Sequence, residues 1–225
     1  MADRDRIISA ASSLLASLPR HVTLVAAAKS RTVEEVLAAV EAGIQVVGHN
    51  YVQEARPMVD VIGRRARWHL IGSLQKNKVK QAVDLFDMIE TVDSWGLAEV
   101  IDSRCAALHR MMPILIEINS GREENKSGVL PEQAEALVRR VSRLGNLRIQ
   151  GLMTMGPYSA SAEDYRPFFR TTKGLFDSLA KIQISGVEMR YLSMGMSDSY
   201  LVAIDEGANI VRIGTALFGP RPPSP

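Results

Sequence analysis

A lysine follows a long apolar run near the beginning of the chain. Lys29 comes directly after VTLVAAA (residues 22–28), a pattern typical of a buried strand, whereas the other six lysines lie in polar or helical stretches. An ammonium group deprived of water loses its proton more readily, and the neutral amine forms a Schiff base with an aldehyde or ketone. The alternative is a side chain whose stem packs while its head reaches water at the strand end.

Two glycine-containing tracts near the other end of the chain have the pattern of anion sites. In SMGMSDS (193–199) a glycine precedes Ser197 at the start of a predicted helix, and in RIGTALFG (212–219) Gly214 and Thr215 open another. Helix N-termini offer unpaired N–H groups, and α/β barrels often bind phosphate in their last two loops. These residues predict a phosphate cradle, although Ser197 alone also suits an N-cap and Gly214 a tight turn. A nucleophilic lysine beside such a cradle indicates a phosphorylated carbonyl compound held as an imine.

Arg212 lies on the last predicted strand, two residues before Gly214. Arginine keeps its proton, so its guanidinium would leave a pyridine nitrogen unprotonated, which weakens an aromatic ring as an electron sink. From spacing alone, a salt bridge at the end of the barrel is an equal alternative.

Eight apolar runs alternate with helical patterns along the chain. Strands separated by helices need parallel crossovers, and eight such units within 225 residues predict an α/β fold, a (β/α)8 TIM barrel. A doubly wound open sheet is the alternative. In a barrel the tracts that follow the strands share one rim, which would bring Lys29 to the cradle. The apolar runs span residues 22–28, 44–49, 67–73, 85–91, 113–119, 147–155, 188–195 and 208–214.

Helix signals lie between these runs. The first 20 residues have helical periodicity and predict an extra N-terminal helix, and Thr32 with Glu35 forms a capping box for a helix that ends at Gly43. No linker or shift in composition divides the chain. We therefore expect residues 1–225 to form a single domain, with 219–225 (GPRPPSP) as a flexible tail.

Composition limits the classes of function. The net charge is +2 and the isoelectric point about 8.8, too mild and too evenly spread to indicate nucleic-acid binding. The single cysteine, Cys105, excludes an internal disulfide framework and favours a reducing, cytoplasmic location. The N-terminal stretch mixes acidic with basic residues and matches neither a secretion signal nor a membrane span. We expect no metal site.

The polar tracts occur in the order found in one family. The chain closely resembles the pyridoxal 5′-phosphate (PLP) homeostasis proteins, a family also described as the N-terminal domain of alanine racemase, over nearly all of residues 5–220. The resemblance rests on Lys29 and on the motifs GHNYVQEA, WHLIGSLQKNK, INSGREENKSG, GLMTMGP, LSMGMSDSY and VRIGTALFG.

This resemblance implies a fold-type III barrel that carries PLP as a Schiff base on a lysine. The cofactor-binding residues that it implies are Lys29 at the aldehyde, Ser197, Gly214 and Thr215 at the phosphate, Arg212 near the ring nitrogen and Asn50 beside the cofactor. Proteins of this family generally lack a demonstrated enzymatic activity and act in vitamin B6 and amino-acid balance. We therefore expect a PLP carrier without catalytic residues, in which exchange of the Schiff base is the covalent chemistry.

The expected partners are PLP and, transiently, PLP-dependent apo-enzymes, with no nucleic acid, no membrane and a monomer or weak dimer. The alternative is a small PLP-dependent racemase or lyase. Racemases of this fold type use a second acid/base, commonly a tyrosine of a separate C-terminal domain, and we expect no such domain here. A cofactor-free Schiff-base aldolase is a third possibility, disfavoured by a lysine on the first strand.

Two positions depart from the family pattern. The family usually reads G-E-N-Y-V-Q-E, and His49 replaces the glutamate, which puts any role of that carboxylate in doubt. We expect His49 to be a solvated residue at a strand end; the alternative is a new titrating group near the cofactor. Ser73 stands where many relatives have proline, and we expect it to change only the stiffness of a loop.

Overall fold

Eight parallel strands close into a barrel in chain order in the computed structural model, which describes residues 2–157 and 161–220. The (β/α)8 barrel expected from the sequence is confirmed. The open sheet is excluded because the first strand pairs with the last, with Thr23 opposite Ile210 and Ala26 opposite Ile213. The strands are β1 (Thr23–Ala27), β2 (Val46–His49), β3 (Arg67–Leu70), β4 (Met88–Val92), β5 (Met112–Glu117), β6 (Leu147–Met153), β7 (Val187–Ser193) and β8 (Ile210–Ile213).

Helices cover the outside of the barrel. The extra N-terminal helix is confirmed as α1, and its buried residues Ile7, Ala11 and Leu14 recur at helical spacing and face the core. The helices within the described residues are α1 (Ala2–Ser17), α2 (Val33–Glu41), α3 (Val52–Ile62), α4 (Val79–Leu85), α5 (Trp95–Ala107), α6 (Pro131–Val141), α7 (Arg166–Ala180), α8 (Tyr200–Asp205) and α9 (Thr215–Phe218). Three short 3₁₀ turns span Gly63–Arg65, Lys76–Lys78 and Ala162–Tyr165.

The capping box predicted for α2 is present. The backbone N–H of Glu35 donates to Thr32 Oγ1 at 3.3 Å, and the N–H of Thr32 donates to Glu35 Oε2 at 2.8 Å. Gly43 follows the end of the helix with a φ of 106°, which a glycine adopts without strain. The helix therefore begins and ends where the sequence predicted, which fixes the path of the chain from β1 to β2.

Successive side chains of each strand face alternately into the barrel and outward to the helices. Inside the barrel, apolar residues form two clusters, one of Val25, Val46, Ile71 and Ile210 and one of Met88, Leu115 and Met153. The larger core lies between the strands and the surrounding helices. The interior is therefore filled by side chains, and a ligand can enter only at the ends of the strands.

The strands are shorter than several of the apolar runs that predicted them, because the last residues of those runs form the rim. The run over residues 67–73 gives a strand that ends at Leu70, and Gly72 then passes close to the next loop. A Cβ atom on Gly72 would lie 2.4 Å from the backbone oxygen of Asn50. Glycine at this position therefore lets the loops after β2 and β3 touch, and this contact holds Asn50 in place.

The C-terminal segment is attached to the loop after β1. The Arg31 guanidinium donates hydrogen bonds to the carbonyl oxygens of Phe218 and Pro220, both at 3.2 Å, and to that of Gly219. Residues 221–225 of the predicted tail lie outside the described residues. Among the helices of the described residues, none has the length and apolar character needed to cross a membrane.

Candidate functional site

A cavity of about 700 Å³ opens on the rim formed by the C-terminal ends of the strands. It lies mainly where β1, β7 and β8 meet, so residues from the two ends of the chain form its wall. All six residues that the sequence singled out line this cavity: Lys29, Asn50, Ser197, Arg212, Gly214 and Thr215. Residues that the sequence did not single out complete the wall: Ala27, Arg31, Ile71, Met155, Met196, Asp198 and Ala216.

Lys29 lies two residues beyond the end of β1 and is half-buried, not enclosed by apolar side chains. Its ammonium nitrogen is 5.3 Å from the centroid of the Tyr51 ring. A cation over an aromatic face is attracted by the ring without losing access to solvent. Among the described residues the ammonium forms no ion pair, so no carboxylate competes with an incoming carbonyl compound for this amine.

The loops after β7 and β8 converge on one hydroxyl group. Ser197 Oγ accepts hydrogen bonds from the backbone N–H groups of Gly214 and Ala216, both at 3.2 Å. An oxygen atom thus occupies the position where two backbone donors point, the arrangement in which a phosphate oxygen would be bound. The sequence identified Ser197 and Gly214 but missed the donor at Ala216, because a backbone N–H leaves no trace in residue type.

A second glycine shapes the loop after β7. Gly195 has a φ of 92°, and a Cβ atom on it would lie only 2.5 Å from the Cβ of Ala203 in α8. Its carbonyl accepts a hydrogen bond from the backbone N–H of Arg212 at 3.0 Å. Glycine is therefore required at position 195 for the loop to pack on α8 while it bonds to β8, and this packing brings Ser197 to the cradle.

Arg212 points into the barrel beneath the cavity and is buried. Its guanidinium donates to Ser193 Oγ at 2.6 Å and to the carbonyl oxygen of Thr154 at 2.9 Å. Burial lowers the pKa of Arg212, and the negative charges of Glu90 and Glu117 oppose that effect. Arg212 therefore lines the cavity and lies among buried carboxylates, with Ser193 and Thr154 as its direct hydrogen-bond partners.

A chain of hydrogen bonds behind Arg212 was missed from the sequence. Because an arginine can only donate hydrogen bonds, Ser193 Oγ must accept one from Arg212. The Ser193 hydroxyl in turn donates a hydrogen bond to Glu90 Oε2 at 2.6 Å. Glu90 Oε1 lies 2.7 Å from His69 Nδ1. Burial by itself would raise the pKa of Glu90, but the hydrogen bond and charge of His69, the charge of Arg212 and the hydrogen bond from Ser193 outweigh it, so this pKa is lowered.

The ionised Glu90 is acceptor-only, so His69 must carry its proton on Nδ1. The chain of hydrogen bonds from His69 through Glu90 and Ser193 therefore fixes the orientation of the Arg212 guanidinium. The signal for this network was an acid and a histidine in the middle of apolar strand runs, in DMIET and WHLIG. Such residues are rarely buried without a partner.

His49 does not behave as the sequence predicted. It is fully buried, so the expected solvated strand-end histidine is wrong. Its neighbour Gly48 faces the barrel interior, since a Cβ there would contact Val25 and Ile71, and His49 therefore faces outward to the helices. Its ring stacks on Trp68 with the centroids 6.0 Å apart, and it does not line the cavity. The alternative reading, a titrating group beside the cofactor, has no support in this geometry.

Both ring nitrogens of His49 lack a hydrogen-bond partner within the described residues. Burial lowers the pKa of His49 to about 4. The histidine is therefore neutral at physiological pH, and it packs as an aromatic residue of the outer core.

Fold and site together define an α/β barrel with an amine and an anion cradle on one rim. The family model "Alanine racemase, N-terminal domain" matches residues 3–222. The pyridoxal phosphate homeostasis protein of Aquifex aeolicus is 40% identical over 199 residues, which cover 88% of this chain and 86% of that protein. The chain therefore belongs to the pyridoxal phosphate homeostasis proteins, within the alanine racemase N-terminal domain family, and the resemblance read from the motifs is confirmed.

Solved structures agree with this assignment. PipY of Synechococcus elongatus PCC7942, whose structure has PLP bound, superposes with a TM-score of 0.87 at 33% identity, covering 95% of this chain and all of that one. Alanine racemase of Clostridium difficile 630 superposes with a TM-score of 0.81 at 17% identity and covers all of this chain. This chain covers 58% of that racemase, and at this identity the likeness shows the shared fold.

Proposed function

We propose that the protein binds PLP as a Schiff base on Lys29, holds it and releases it, and so acts in PLP homeostasis inside the cell. The observation that supports this most directly is that one cavity contains both a two-loop anion cradle and an amine that forms no ion pair with the residues the structure describes. The relative that has PLP bound shares 33% of its sequence with this chain and the same fold.

The donors in the cavity fit PLP. Ser197 Oγ, Thr215 and the backbone N–H groups of Gly214 and Ala216 are neutral donors grouped at one end, as a phosphate dianion requires. A Cβ atom on Gly214 would lie 3.4 Å from the carbonyl oxygen of Ala27, an ordinary van der Waals distance, so β1 does not by itself require glycine at this position. Ile71, Met155 and Met196 give the wall apolar surface against which a planar ring packs.

When bound, PLP supplies an aldehyde that condenses with a primary amine. On this chain, Lys29 offers the amine, the loops after β7 and β8 orient the phosphate, and Arg212 presents N–H donors from below. Because the guanidinium keeps its proton, it accepts none from, and gives none to, a ring nitrogen. Ser193 and Glu90 hold Arg212 in that orientation.

We propose that the protein holds PLP and does not use it to catalyse a reaction. The tyrosine beside Lys29 is Tyr51, whose ring centroid lies 5.3 Å from the Lys29 ammonium and which does not line the cavity. The cavity residues that the structure describes include one carboxylate, Asp198, and neither a tyrosine nor a histidine. A two-base racemisation needs a second acid/base across the cofactor from the lysine, and these residues do not provide the usual tyrosine.

The proposal is tested by the visible spectrum of the protein saturated with PLP. The native chain is expected to absorb in the visible range and, after reduction with borohydride, to carry the label on Lys29. Lys29→Ala should lose both properties, whereas Lys80→Ala, which replaces an exposed lysine of α4, should keep both. If Lys29→Ala kept the visible band, or if the label appeared on another lysine, the Schiff base on Lys29 would be refuted.

Turnover is tested separately. The PLP-loaded protein, incubated with L-alanine, is expected to form D-alanine and pyruvate no faster than free PLP does. A rate well above that of free PLP that vanishes in Lys29→Ala would establish a racemase or lyase and overturn the proposed holding role.

A further inference from the structure

A second cavity, of about 300 Å³, lies beside the cofactor cavity. It is enclosed by the loop after β5 (residues 119–128) and by the end of β5, and it shares Met155 and Met196 with the larger cavity. None of the six residues predicted for the cofactor lines it. The chain therefore has a separate small space on the same rim.

One buried carboxylate lines this space without a complete set of partners. Glu117, the last residue of β5, is only 4% exposed, and its Oε2 atom has no hydrogen-bond partner within the described residues. Its backbone is satisfied, since the carbonyl accepts from the N–H of Val129 at 2.8 Å. A buried acceptor left unpaired costs free energy of about 1–3 kcal/mol, so the side chain is poised to receive a donor.

Among the described residues, acidic groups outnumber basic ones at this site when Glu117 itself is counted. Burial and, to a lesser extent, the negative charge of Asp93 raise the pKa of Glu117 to about 7, while the positive charge of Arg212 opposes this rise. On the cavity wall, Glu123 adds a carboxylate, and the exposed ammonium of Lys126 is the opposing positive charge. A positive ligand at Glu117 would favour the ionised carboxylate, because its charge offsets the repulsion between that carboxylate and Asp93.

The cavity is built before any ligand arrives. The Asn119 side chain donates to the carbonyl oxygen of Glu123 at 2.8 Å and accepts from its N–H at 3.1 Å, which closes the loop on itself. Arg122 donates both terminal nitrogens to the Glu132 carboxylate of α6 at 2.9 Å. A loop held at its base and at its outer side keeps the space open at little cost in entropy.

We propose that this cavity binds a small organic ammonium ion, whose N–H groups donate to Glu117 Oε2 and whose carbon atoms pack on Met155 and Met196. An ammonium supplies the missing donor and a positive charge together. A divalent metal ion is a poorer fit, because no cluster of three or more His, Cys, Asp or Glu side chains in the described residues is placed to hold one. The site needs no cofactor, so its test is independent of the proposed function.

Calorimetry with methylammonium at pH 8 tests the site, using the full chain without PLP. Glu117→Gln is expected to weaken binding at least tenfold, because the amide carries no charge. Glu124→Gln, which removes one exposed carboxylate from the same loop, should stay within about twofold of the native affinity. Tetramethylammonium, which has the charge but no N–H donor, and K⁺ should each bind at least tenfold more weakly than methylammonium.

A second measurement uses only the native chain, so its result does not depend on whether Glu117→Gln folds correctly. Because binding requires the ionised carboxylate and half of the Glu117 side chains are protonated near pH 7, methylammonium should release about half a proton at that pH and almost none at pH 8.5. No binding of methylammonium, equal binding of tetramethylammonium, equal affinity in Glu117→Gln or no proton release at pH 7 would each overturn the proposal.

Discussion

His49 gives the protein a specific sensitivity to acid. It is buried with both ring nitrogens unpaired among the described residues, and burial lowers its pKa to about 4 from an ordinary value of 6.5. In the unfolded chain the imidazole binds a proton below pH 6.5, whereas in the folded chain it stays neutral until about pH 4. The unfolded state therefore binds more protons within this window, and the free energy of unfolding falls as the pH falls through it.

The magnitude follows from the two values. The pKa of His49 differs by about 2.5 between the unfolded and folded chain, which lowers the free energy of unfolding by about 3 kcal/mol once the pH has fallen below both values. Between pH 7.5 and pH 5 the free energy of unfolding falls by about 2 kcal/mol. Glu117 acts in the opposite direction, because its pKa is raised to about 7 in the folded chain. The folded chain binds the proton of Glu117 more readily, so this group raises the free energy of unfolding as the pH falls toward 4.5. A comparison of two proteins that both contain Glu117 cancels this contribution.

The assay is urea unfolding of the native chain and of His49→Leu at pH 7.5 and pH 5. At pH 7.5 the variant should be about as stable as the native chain, since it loses the stacking on Trp68 but also two unpaired polar atoms. At pH 5 it should be more stable by about 2 kcal/mol. His21→Leu, at an exposed histidine, should follow the native pH profile. If native and His49→Leu proteins lost stability in parallel on acidification, burial would not lower the pKa of His49 as stated.

Two further predictions concern residues that support the cavity lined by Lys29 and Arg212. Glu90→Gln should lower the free energy of unfolding by about 3 kcal/mol, measured in urea at neutral pH, because it leaves the Arg212 guanidinium buried opposite a neutral amide; an unchanged midpoint would contradict this. Gly195→Ala should destabilise by about 1–3 kcal/mol, because the new Cβ meets Ala203 at a φ of 92°. Gly174→Ala, within α7 and with free space around it, should instead stabilise by about 1 kcal/mol, and equal midpoints for these two variants would refute the role of Gly195.

The barrel and the meeting of Lys29 with the residues after β7 and β8 follow from the sequence because their signals are local. Apolar runs of strand length mark all eight strands, and glycines beside polar residues mark the rim where Lys29 and Ser197 meet. The closure of the sheet then brings these residues together without further information. Residue type and order along the chain were sufficient for this part of the structure.

The orientation of individual side chains did not follow from the sequence. Strands of a parallel barrel are apolar on both faces, so no alternation shows whether His49 faces the interior or the helices. For the same reason the sequence did not show that His69, Glu90 and Glu117 all point inward, because this depends on the register between strands. The shifts in register along β4, β5 and β6 add a further change of face that composition does not reveal.

The pairing of β1 with β8 places the cavity that Lys29 lines across the last strand contact that the chain can make during synthesis. Lys29 emerges from the ribosome early, but Arg212, Gly214 and Thr215 emerge near the end, and the two groups meet only when Thr23 has paired with Ile210. This pairing closes a loop of almost the whole chain, the most costly closure in entropy. A ligand that contacts residues from both ends of the chain therefore binds only after β1 and β8 have paired, and its binding stabilises the closed barrel.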